Sequence, residues 1–420
     1  MQPLLRTLLI VSRLLMGLVF IFSGFVKALD PLGSNYKFID YFEAFGMSGL
    51  APLALYLGIL MAAAELVIGL CLIMGVRMKV TGWALLLFMS FFTVLTFFLA
   101  IFNPVSDCGC FGDAIKLTNW QTFFKNLAMF PFVLLIFFCR GQYKNFTRAA
   151  LEWFYVALFF FASFALSAHC MHHLPVFDFM PYHVGQNIPE AMAIPEGAPR
   201  DEYRTMLIYE KDGKQHEFTD ADYPWQDTTW RFIDSKSVLV NQGYTPPVYN
   251  FSITHPIEGD ITESILEEEY AFLFVAPKLE KSSVEHIEQI KQLATFAKDK
   301  GYTFVGLTAS TQGATADFSA QHHINFDICS TDETTLKSMV RAHPGVMLLY
   351  HGTVVGKWNA NDLPSTGFFS RQPLAADINA LRQDGNTNLK WAFIFATLVA
   401  MLLMVIINNK TGRKKIGRYA

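Results

Sequence analysis

The stretch that decides the fold of the N-terminal region is LLRTLLIVSRLLMGLVFIFSGFVKA, residues 4–28. It is almost entirely apolar and exceeds the roughly 20 residues that a transmembrane helix needs. Further apolar stretches occupy residues 52–74, 80–102, 120–138, 151–168 and 389–407. Because no small-residue cleavage site follows the first stretch, we interpret it as a retained span and not as a signal peptide. The sequence therefore predicts an α-helical membrane bundle of six spans.

The overall composition agrees with a membrane protein. Hydrophobic residues make up 52% of the 420 residues and charged residues only 16%, whereas soluble domains carry about 25% charged residues. The 33 Lys and Arg nearly balance the 36 Asp and Glu, so we expect a lipid bilayer and no nucleic acid as a partner. The chain contains no phosphate-binding glycine loop and no Gly-x-Ser-x-Gly motif, so nucleotide and hydrolase functions have no support.

The distribution of Lys and Arg between the spans predicts the orientation of the chain. Basic residues follow every second span, at Arg77 and Lys79, at Arg140, and in the C-terminal tail after residue 407. Positive residues favour the cytoplasmic side. Both termini are therefore predicted in the cytoplasm of a bacterium, and residues 103–119 and 169–388 in the periplasm, outside the inner membrane.

The long segment 169–388 has the composition of a globular domain. Short strand patterns occur between residues 170 and 244, including a hairpin around residues 211–214. From about residue 247, strands and helices alternate, and a hairpin at residues 346–358 and a helix at residues 372–383 complete the pattern. This order predicts an α/β domain whose sheet is covered on both faces.

The α/β pattern resembles the thioredoxin fold, in the variety of the TlpA-like membrane-anchored domains. The segment 244–251 (YTPPVYNF) resembles the family's entry segment, and His343-Pro344 lies where the family has its cis-proline beside the active site. The family places Cys-x-x-Cys after the strand at residues 272–276, but this chain reads Pro277-Lys278-Leu279. Since a thiolate is the nucleophile of disulfide exchange, we predict a redox-dead domain that binds a partner near His343 and Pro344.

The first four spans resemble the DoxX/MauE family of small membrane proteins linked to redox processes. The most specific part of the resemblance is the run Cys108-Gly109-Cys110-Phe111-Gly112 after the third span, which is typical of the MauE branch. The layout resembles a type common in Bacteroidetes. The resemblance covers a four-span bundle at residues 1–145, and the apolar and strand patterns of the sequence predict a fifth span at 146–169 and a β-rich linker at 170–244. A thioredoxin-like domain at 245–386 and a sixth span with a basic tail at 387–420 follow.

Cys108 and Cys110 are the first candidates for chemistry, because a predicted periplasmic position is an oxidising one. The intervening Gly109 permits the positive φ that a small disulfide ring requires, and such a strained disulfide is easily reduced. A structural disulfide and a metal clip remain open as alternatives. Asp107 and Asp113, if close, would raise the thiol pKa values.

Cys170 is the third catalytic candidate, because it follows the fifth span on the same predicted face. It could resolve a mixed disulfide, and the flanking His169, His172 and His173 could lower its pKa. A metal ligand set and a purely structural interfacial segment remain alternatives. No metal is assigned.

Two charges inside the membrane, Arg13 and Glu65, are predicted to form an ion pair. Each lies about 14–15 Å from the cytoplasmic end of its span at 1.5 Å per residue, and an isolated charge in lipid is costly. The pair could serve as a structural clamp or as a functional site. A quinone is kept as an alternative cofactor. Lys27 is interpreted as a membrane-interface anchor.

Three functions follow from these residues and resemblances. The first is an inner-membrane thiol–disulfide protein, and possible enzyme, that exchanges disulfides with periplasmic thiol proteins through Cys108 and Cys110. The second is a non-enzymatic scaffold or assembly factor of an envelope complex. The third is a quinone-linked oxidoreductase subunit.

Overall fold

The computed structural model describes residues 3–143, 149–199, 202–211, 213–219, 222–241 and 243–370. The predicted sixth span at residues 389–407 and the predicted helix at 372–383 lie outside the described residues. Six long helices come first in the chain: α1 (Pro3–Leu29), α2 (Pro31–Ala44), α3 (Ala54–Met74), α4 (Met78–Phe102), α5 (Asn119–Phe138) and α6 (Ala149–His172).

Five of the predicted spans are confirmed as helices that are long and apolar enough to cross a membrane. They cover Leu4–Leu29, Ser48–Met74, Met78–Phe102, Asn119–Phe138 and Leu151–His172. Many of their large apolar side chains point outward, including Leu87, Phe91 and Phe161 at 63–66% exposure. Such exposed apolar surface is stable only in contact with lipid. The chain is therefore a membrane protein.

Helices α1 and α3 pack closely because small residues face each other. A Cβ atom added at Gly24 would lie 2.5 Å from the backbone nitrogen of Leu66, and one at Gly69 would lie 2.6 Å from that of Ile21. Small residues at helix contacts allow the two backbones of membrane helices to approach. This approach brings the interior side chains of α1 and α3 within hydrogen-bonding distance.

Helix α2, with 14 residues, is the shortest of these six helices, and only Asp30 separates it from α1. Pro31 is its first residue, where the missing N–H costs nothing, and the carboxylate of Asp30 accepts a hydrogen bond of 2.7 Å from the backbone N–H of Gly33. This is the geometry of a helix N-cap. Helix α2 is not among the candidate spans. Its side chains cover the end of the bundle at which α4 is followed by residues 103–118.

A small antiparallel sheet follows the membrane helices and helix α7 (Ile188–Met192). Its strands are β1 (Glu202–Lys211), β2 (Lys214–Thr219) and β3 (Arg231–Asn241), in the order β2-β1-β3. The predicted hairpin around residues 211–214 is confirmed by the register, in which Lys211 pairs with Lys214.

The second sheet has seven strands. They are β4 (Thr254–His255), β5 (Gly259–Asp260), β6 (Tyr270–Val275), β7 (Thr303–Thr308), β8 (Asp327–Ser330), β9 (Gly345–Tyr350) and β10 (Thr353–Asn359). The helices around it are α8 (Thr262–Glu267), α9 (Ile287–Lys300), α10 (Gln312–His322), α11 (Glu333–Met339) and α12 (Thr366–Phe369).

The order and direction of these strands give a thioredoxin-like architecture. The order is β10-β9-β6-β7-β8-β4-β5. Strands β6, β7 and β8 are parallel, β9 is antiparallel to β6, and β10 is antiparallel to β9. Every residue of β6 is buried, as expected for a central strand covered on both faces. The peptide bond between His343 and Pro344 is cis. We call the described part of this region, residues 245–370, the thioredoxin-like domain.

Candidate functional site

The loop between α4 and α5, residues 103–118, carries the two cysteines side by side. Their Sγ atoms lie 2.9 Å apart, and both are free thiols. Gly109 between them has a φ of +63°, the left-handed conformation that the sequence predicts there. Cys108 is 7% exposed, whereas Cys110 is only half-buried. Cys110 is therefore the more exposed residue of the pair.

Three side chains from the bundle hold the backbone of the two cysteines. The hydroxyl of Tyr41 in α2 donates to the carbonyl oxygen of Cys108 at 2.8 Å. The carbonyl oxygen of Cys110 accepts from the Ser23 hydroxyl at 2.6 Å and from Lys27 Nζ at 2.5 Å. Because side chains of α1 and α2 hold both carbonyl oxygens, these two helices determine where the two cysteines lie.

The surroundings make the two thiols chemically unequal. The hydrogen bond with Cys108 lowers the pKa of Cys110, and the cations Lys125 and Lys27 lower it further, against the opposing effect of burial. The same thiol–thiol hydrogen bond, together with burial, raises the pKa of Cys108. Since the thiolate is the reactive form of a cysteine, these surroundings favour the reactive form at Cys110 over that at Cys108.

The acidic residues beside the loop are paired with cations. Lys37 Nζ lies 3.0 Å from Asp107 Oδ1, and Arg341 Nη2 lies 2.8 Å from Asp113 Oδ2. The sequence predicts that these carboxylates, if close, raise the thiol pKa values. Neither carboxylate is among the main causes of the pKa shift of Cys110, and each is paired with a cation.

Lys27 and Glu65 form the ion pair at the base of the site. Lys27 Nζ lies 2.8 and 3.0 Å from the two carboxylate oxygens of Glu65, and both residues are only 4% exposed. The interpretation of Lys27 as a membrane-interface anchor is therefore wrong. Its side chain points into the bundle and is buried between α1, α3 and the cysteine loop.

The predicted pairing of Arg13 with Glu65 is also wrong. Arg13 Nη2 instead donates to the backbone carbonyl of Ile73 at 3.3 Å, and its guanidinium lies over the ring of Tyr143. Glu65 is near the middle of α3, so at about 1.5 Å per residue it is reachable from either end. The depth of Glu65, measured from one end of its span, therefore did not show whether its partner is Arg13 or Lys27.

A cavity of about 280 Å³ opens beside the cysteines inside the bundle. Cys108, Cys110, Lys27 and Glu65 contribute to its lining. Most of the wall is apolar, and each of the first five helices contributes an aromatic or thioether side chain to it: Phe20, Phe38, Met61, Met89, Phe92 and Met129. The sequence did not predict this cavity, which is an apolar chamber with polar and redox-active groups at one end.

Cys170 is not brought together with the cysteine pair. It is 1% exposed, packs with Ala28, Leu29 and Val176, and is not part of the cavity lining. In this conformation it is not placed to resolve a mixed disulfide at Cys110. Of the neighbouring histidines, His173 lies 2.7 Å from Asp362, and no cluster of three metal-ligating side chains forms within the described ranges.

The thioredoxin-like domain contacts the cysteine loop directly. Arg341, 7% exposed, lies 2.9 Å from Asp30 Oδ2 and 2.8 Å from Asp113 Oδ2. His343 Nε2 lies 2.6 Å from the hydroxyl of Tyr36. His343 and Pro344 thus belong to a face that is occupied by α2 of the same chain, and binding of a second protein there stays a prediction.

The absence of a dithiol in the thioredoxin-like domain agrees with its local structure. The position after β6 is a short 3₁₀ turn, Leu279–Lys281. Cys329, the remaining thiol of this region, is 1% exposed in the core. The redox-capable sulfurs are therefore those of the bundle.

Several residues of the site were missed by the sequence analysis. Ser23 and Lys27 lie four residues apart, which places them on one helix face, and that spacing could have pointed to a shared interior contact. Tyr41 and Arg341 act across long sequence separations, and no local pattern identifies them.

Comparisons with known proteins agree with this description. Residues 5–139 match the family model "Methylamine utilisation protein MauE", and residues 203–242 match a domain of unknown function, DUF8463. No curated protein matches the chain. The MauE match and the thioredoxin-like topology describe a redox-related membrane protein.

Solved structures similar to the chain include a candidate thioredoxin from Neisseria meningitidis. It is 12% identical, with a TM-score of 0.24, and the match covers 32% of this chain and 89% of that one. A candidate protein disulfide isomerase from Bacteroides thetaiotaomicron is 12% identical, with a TM-score of 0.22, covering 32% and 84%. The bacterioferritin comigratory protein of Xanthomonas campestris is 15% identical, with a TM-score of 0.21, covering 31% and 88%. At these scores the comparisons carry no argument about activity.

Proposed function

We propose that the protein is a thiol–disulfide exchange protein of the bacterial inner membrane, acting on protein thiols in the periplasm through Cys108 and Cys110. The observation that carries the proposal is the 2.9 Å separation of two free thiols in one fixed loop, one of them accessible. A dithiol of this kind can close to a disulfide and reopen. Redox exchange therefore explains the loop better than a structural staple does.

The exchange proceeds through a mixed disulfide on Cys110. A client thiolate attacks the Cys110 sulfur of the Cys108–Cys110 disulfide, the S–S bond breaks, and Cys108 leaves as a thiolate and takes up a proton. A second client thiolate attacks the client sulfur of the mixed disulfide, and Cys110 leaves as a thiolate. The client gains a disulfide, and the pair gains two electrons. The lowered pKa of Cys110 favours its departure in this second step.

The proposed orientation rests on the two ends of α4. The turn carrying Arg77 precedes α4, and the cysteine loop follows it, so the two lie at opposite ends of the helix. Basic loops favour the cytoplasmic side. This supports a periplasmic cysteine loop, a periplasmic thioredoxin-like domain and a cytoplasmic N-terminus.

The test is the trapping of mixed disulfides in bacterial membranes that contain the full chain. Exchange is reversible, and in Cys108→Ser the Cys110 thiolate attacks a client disulfide while one client sulfur leaves as a thiolate. Because Cys108 is no longer present to displace the bound client, the mixed disulfide accumulates and is visible as reducible bands on non-reducing gels. In Cys110→Ser, the adducts disappear. Cys71→Ser, at a buried thiol of α3, is the matched control and behaves as wild type. Adducts that persist in Cys110→Ser would overturn the proposal.

A second candidate function, linked to a quinone, is supported by the cavity. A quinone, when bound, accepts two electrons and two protons, the number that a dithiol releases on closing to a disulfide. The residues present fit such a group: Phe92 and Met61 offer apolar contact, Lys125 offers a hydrogen-bond donor, and Cys110 adjoins the chamber. Ligand pockets of this apolar kind with few polar groups are typical binding sites.

The quinone alternative is tested by thiol counting. A short-chain quinone added to the reduced protein in detergent should remove two alkylatable thiols. Met61→Trp, which fills the cavity, should slow this loss, whereas Leu87→Trp on the exposed face of α4 should not. If Cys108 and Cys110 stay reduced with the quinone, and neither exchanges with thiol proteins, the scaffold function remains.

A further inference from the structure

Lys27 has an unusual position for a lysine near the end of a membrane helix. Its ammonium contacts Ser23 Oγ at 2.7 Å, Glu65 at 2.8 and 3.0 Å, and the carbonyl oxygen of Cys110 at 2.5 Å. It is 4% exposed. Lysine normally extends toward water at such a position. Here the chain uses the cation inside the bundle, in contact with the backbone of Cys110.

The burial of Lys27 is possible because Glu65 balances its charge. The close approach of α1 and α3 at Gly24 brings the two side chains together. An unpaired charge in this position would be costly. The ion pair is thus a permanent part of the bundle, and the contact that remains for function is the one with Cys110.

The charged and titratable groups around Cys110 come from several elements. Lys27 from α1 and Lys125 from α5 are cationic, Glu65 from α3 is anionic, and Cys108 shares the loop. The nearby anions have other partners, since Lys37 of α2 pairs with Asp107, and Arg341 pairs with Asp113. Lys27 is the cation of this set that also holds the backbone of Cys110.

We propose that Lys27 is a positioning residue for Cys110, one that fixes its backbone at the cavity and favours its thiolate form. Ser23 shares the first task, because its hydroxyl donates to the same carbonyl oxygen. Glu65 holds the Lys27 side chain in place through their ion pair. This inference rests on the proposed exchange function and deepens it, since it names a residue that holds the backbone of Cys110 and adds to the effect of Cys108 and Lys125 on its thiolate.

The test is the pH dependence of alkylation at Cys110, followed by peptide-resolved mass spectrometry of the full chain in detergent. The midpoint for wild type should lie below the value of about 8.5 for an ordinary thiol. Lys27→Met should raise the midpoint by about one pH unit, which is about a tenfold slower alkylation at neutral pH. Lys27→Arg, which keeps the charge, should restore most of the rate.

Two further variants separate positioning from a loss of folding. Lys27→Met/Glu65→Gln removes both charges, so it leaves no unpaired carboxylate, and it should still raise the midpoint, by less than the single change. Lys116→Met, at an exposed lysine of the same loop, should leave it unchanged. An unchanged midpoint in the folded double variant overturns the inference.

The same samples distinguish this inference from the proposed exchange. If wild type forms no mixed disulfides but the midpoint follows Lys27, the exchange function fails and the positioning role stands. If mixed disulfides form and the midpoint ignores Lys27, the reverse holds.

Discussion

Arg341 of the thioredoxin-like domain forms an ion pair with Asp113 of the cysteine loop, with Nη2 and Oδ2 2.8 Å apart. The same guanidinium pairs through Nε with Asp30, the N-cap of α2. The thioredoxin-like domain, which lacks a Cys-x-x-Cys, thus binds the loop that carries Cys108 and Cys110. The face of the domain that carries the cis-proline is used within the chain.

The first prediction concerns this contact. Arg341→Ala leaves two partly buried carboxylates without their partner, and breaking a buried pair costs up to about 3–5 kcal/mol. We expect faster hydrogen exchange in α2 and in residues 107–116, measured by mass spectrometry. Lys211→Ala breaks a surface pair of the small sheet and should cost only about 0.2–1 kcal/mol. Unchanged hydrogen exchange in Arg341→Ala would show that the ion pairs of Arg341 do not stabilise α2 or the cysteine loop.

The second prediction is a pH dependence of the same docking. Burial, with the nearby cations Lys337 and Arg341, lowers the pKa of His343, so the docked state favours neutral histidine. Its contribution is complete above the ordinary histidine pKa of about 6.5 and is lost as the pH falls below it. Thermal unfolding between pH 7.5 and 5 should show this loss.

The control for the pH effect is His343→Gln, which cannot titrate but keeps a hydrogen-bonding group near Tyr36. This variant should lose part of the acid sensitivity. If wild type and variant respond identically to acid, other groups account for the effect.

The third prediction concerns the approach of α1 and α3. In Gly24→Val, the added Cβ would lie 2.5 Å from the Leu66 nitrogen and 2.8 Å from the Ala62 oxygen, so the helices must separate and the Lys27–Glu65 pair must loosen. We expect a lower unfolding temperature in detergent and slower alkylation of Cys110. Gly49→Val, where an added Cβ meets nothing within 4 Å, is the matched change and should be tolerated.

The fourth prediction concerns Cys170. Because it is buried away from the cavity, Cys170→Ala should leave the trapping of mixed disulfides at Cys110 unchanged. The expected cost is a small loss of stability from a packing change. If adducts instead accumulate as they do in Cys108→Ser, then Cys170 reaches Cys110 in another conformation and serves as a resolving thiol.

The membrane helices and most sheet strands could be predicted from the sequence because their determinants are local. The span at residues 80–102 and the strand at residues 270–276 are continuous apolar runs, and their bounds in the structure differ by only a few residues. The close pairing of Cys108 and Cys110 follows from the single glycine between them. These features depend on neighbours in the chain.

The contacts that shape the site depend on side-chain direction and on distant elements. Lys27 carried the pattern of an interface anchor, but whether its long side chain points outward or inward is decided by the packing of Gly24 against α3. Arg341 lies in an ordinary helix-to-strand connection, and its role exists only once the domain sits on the bundle. Neither the direction of Lys27 nor the contacts of Arg341 can be predicted from the local periodicity of the sequence.

Asp30 has a consequence that extends beyond its own contacts. It caps α2 through the N–H of Gly33 and holds Arg341 at the same time, while Tyr41 near the other end of α2 holds the carbonyl of Cys108. Helix α2 therefore links the thioredoxin-like domain, through Arg341, to the backbone of Cys108. A displacement of that domain, for example on binding a partner, would be transmitted to the loop of Cys108 and Cys110 through a helix of about four turns.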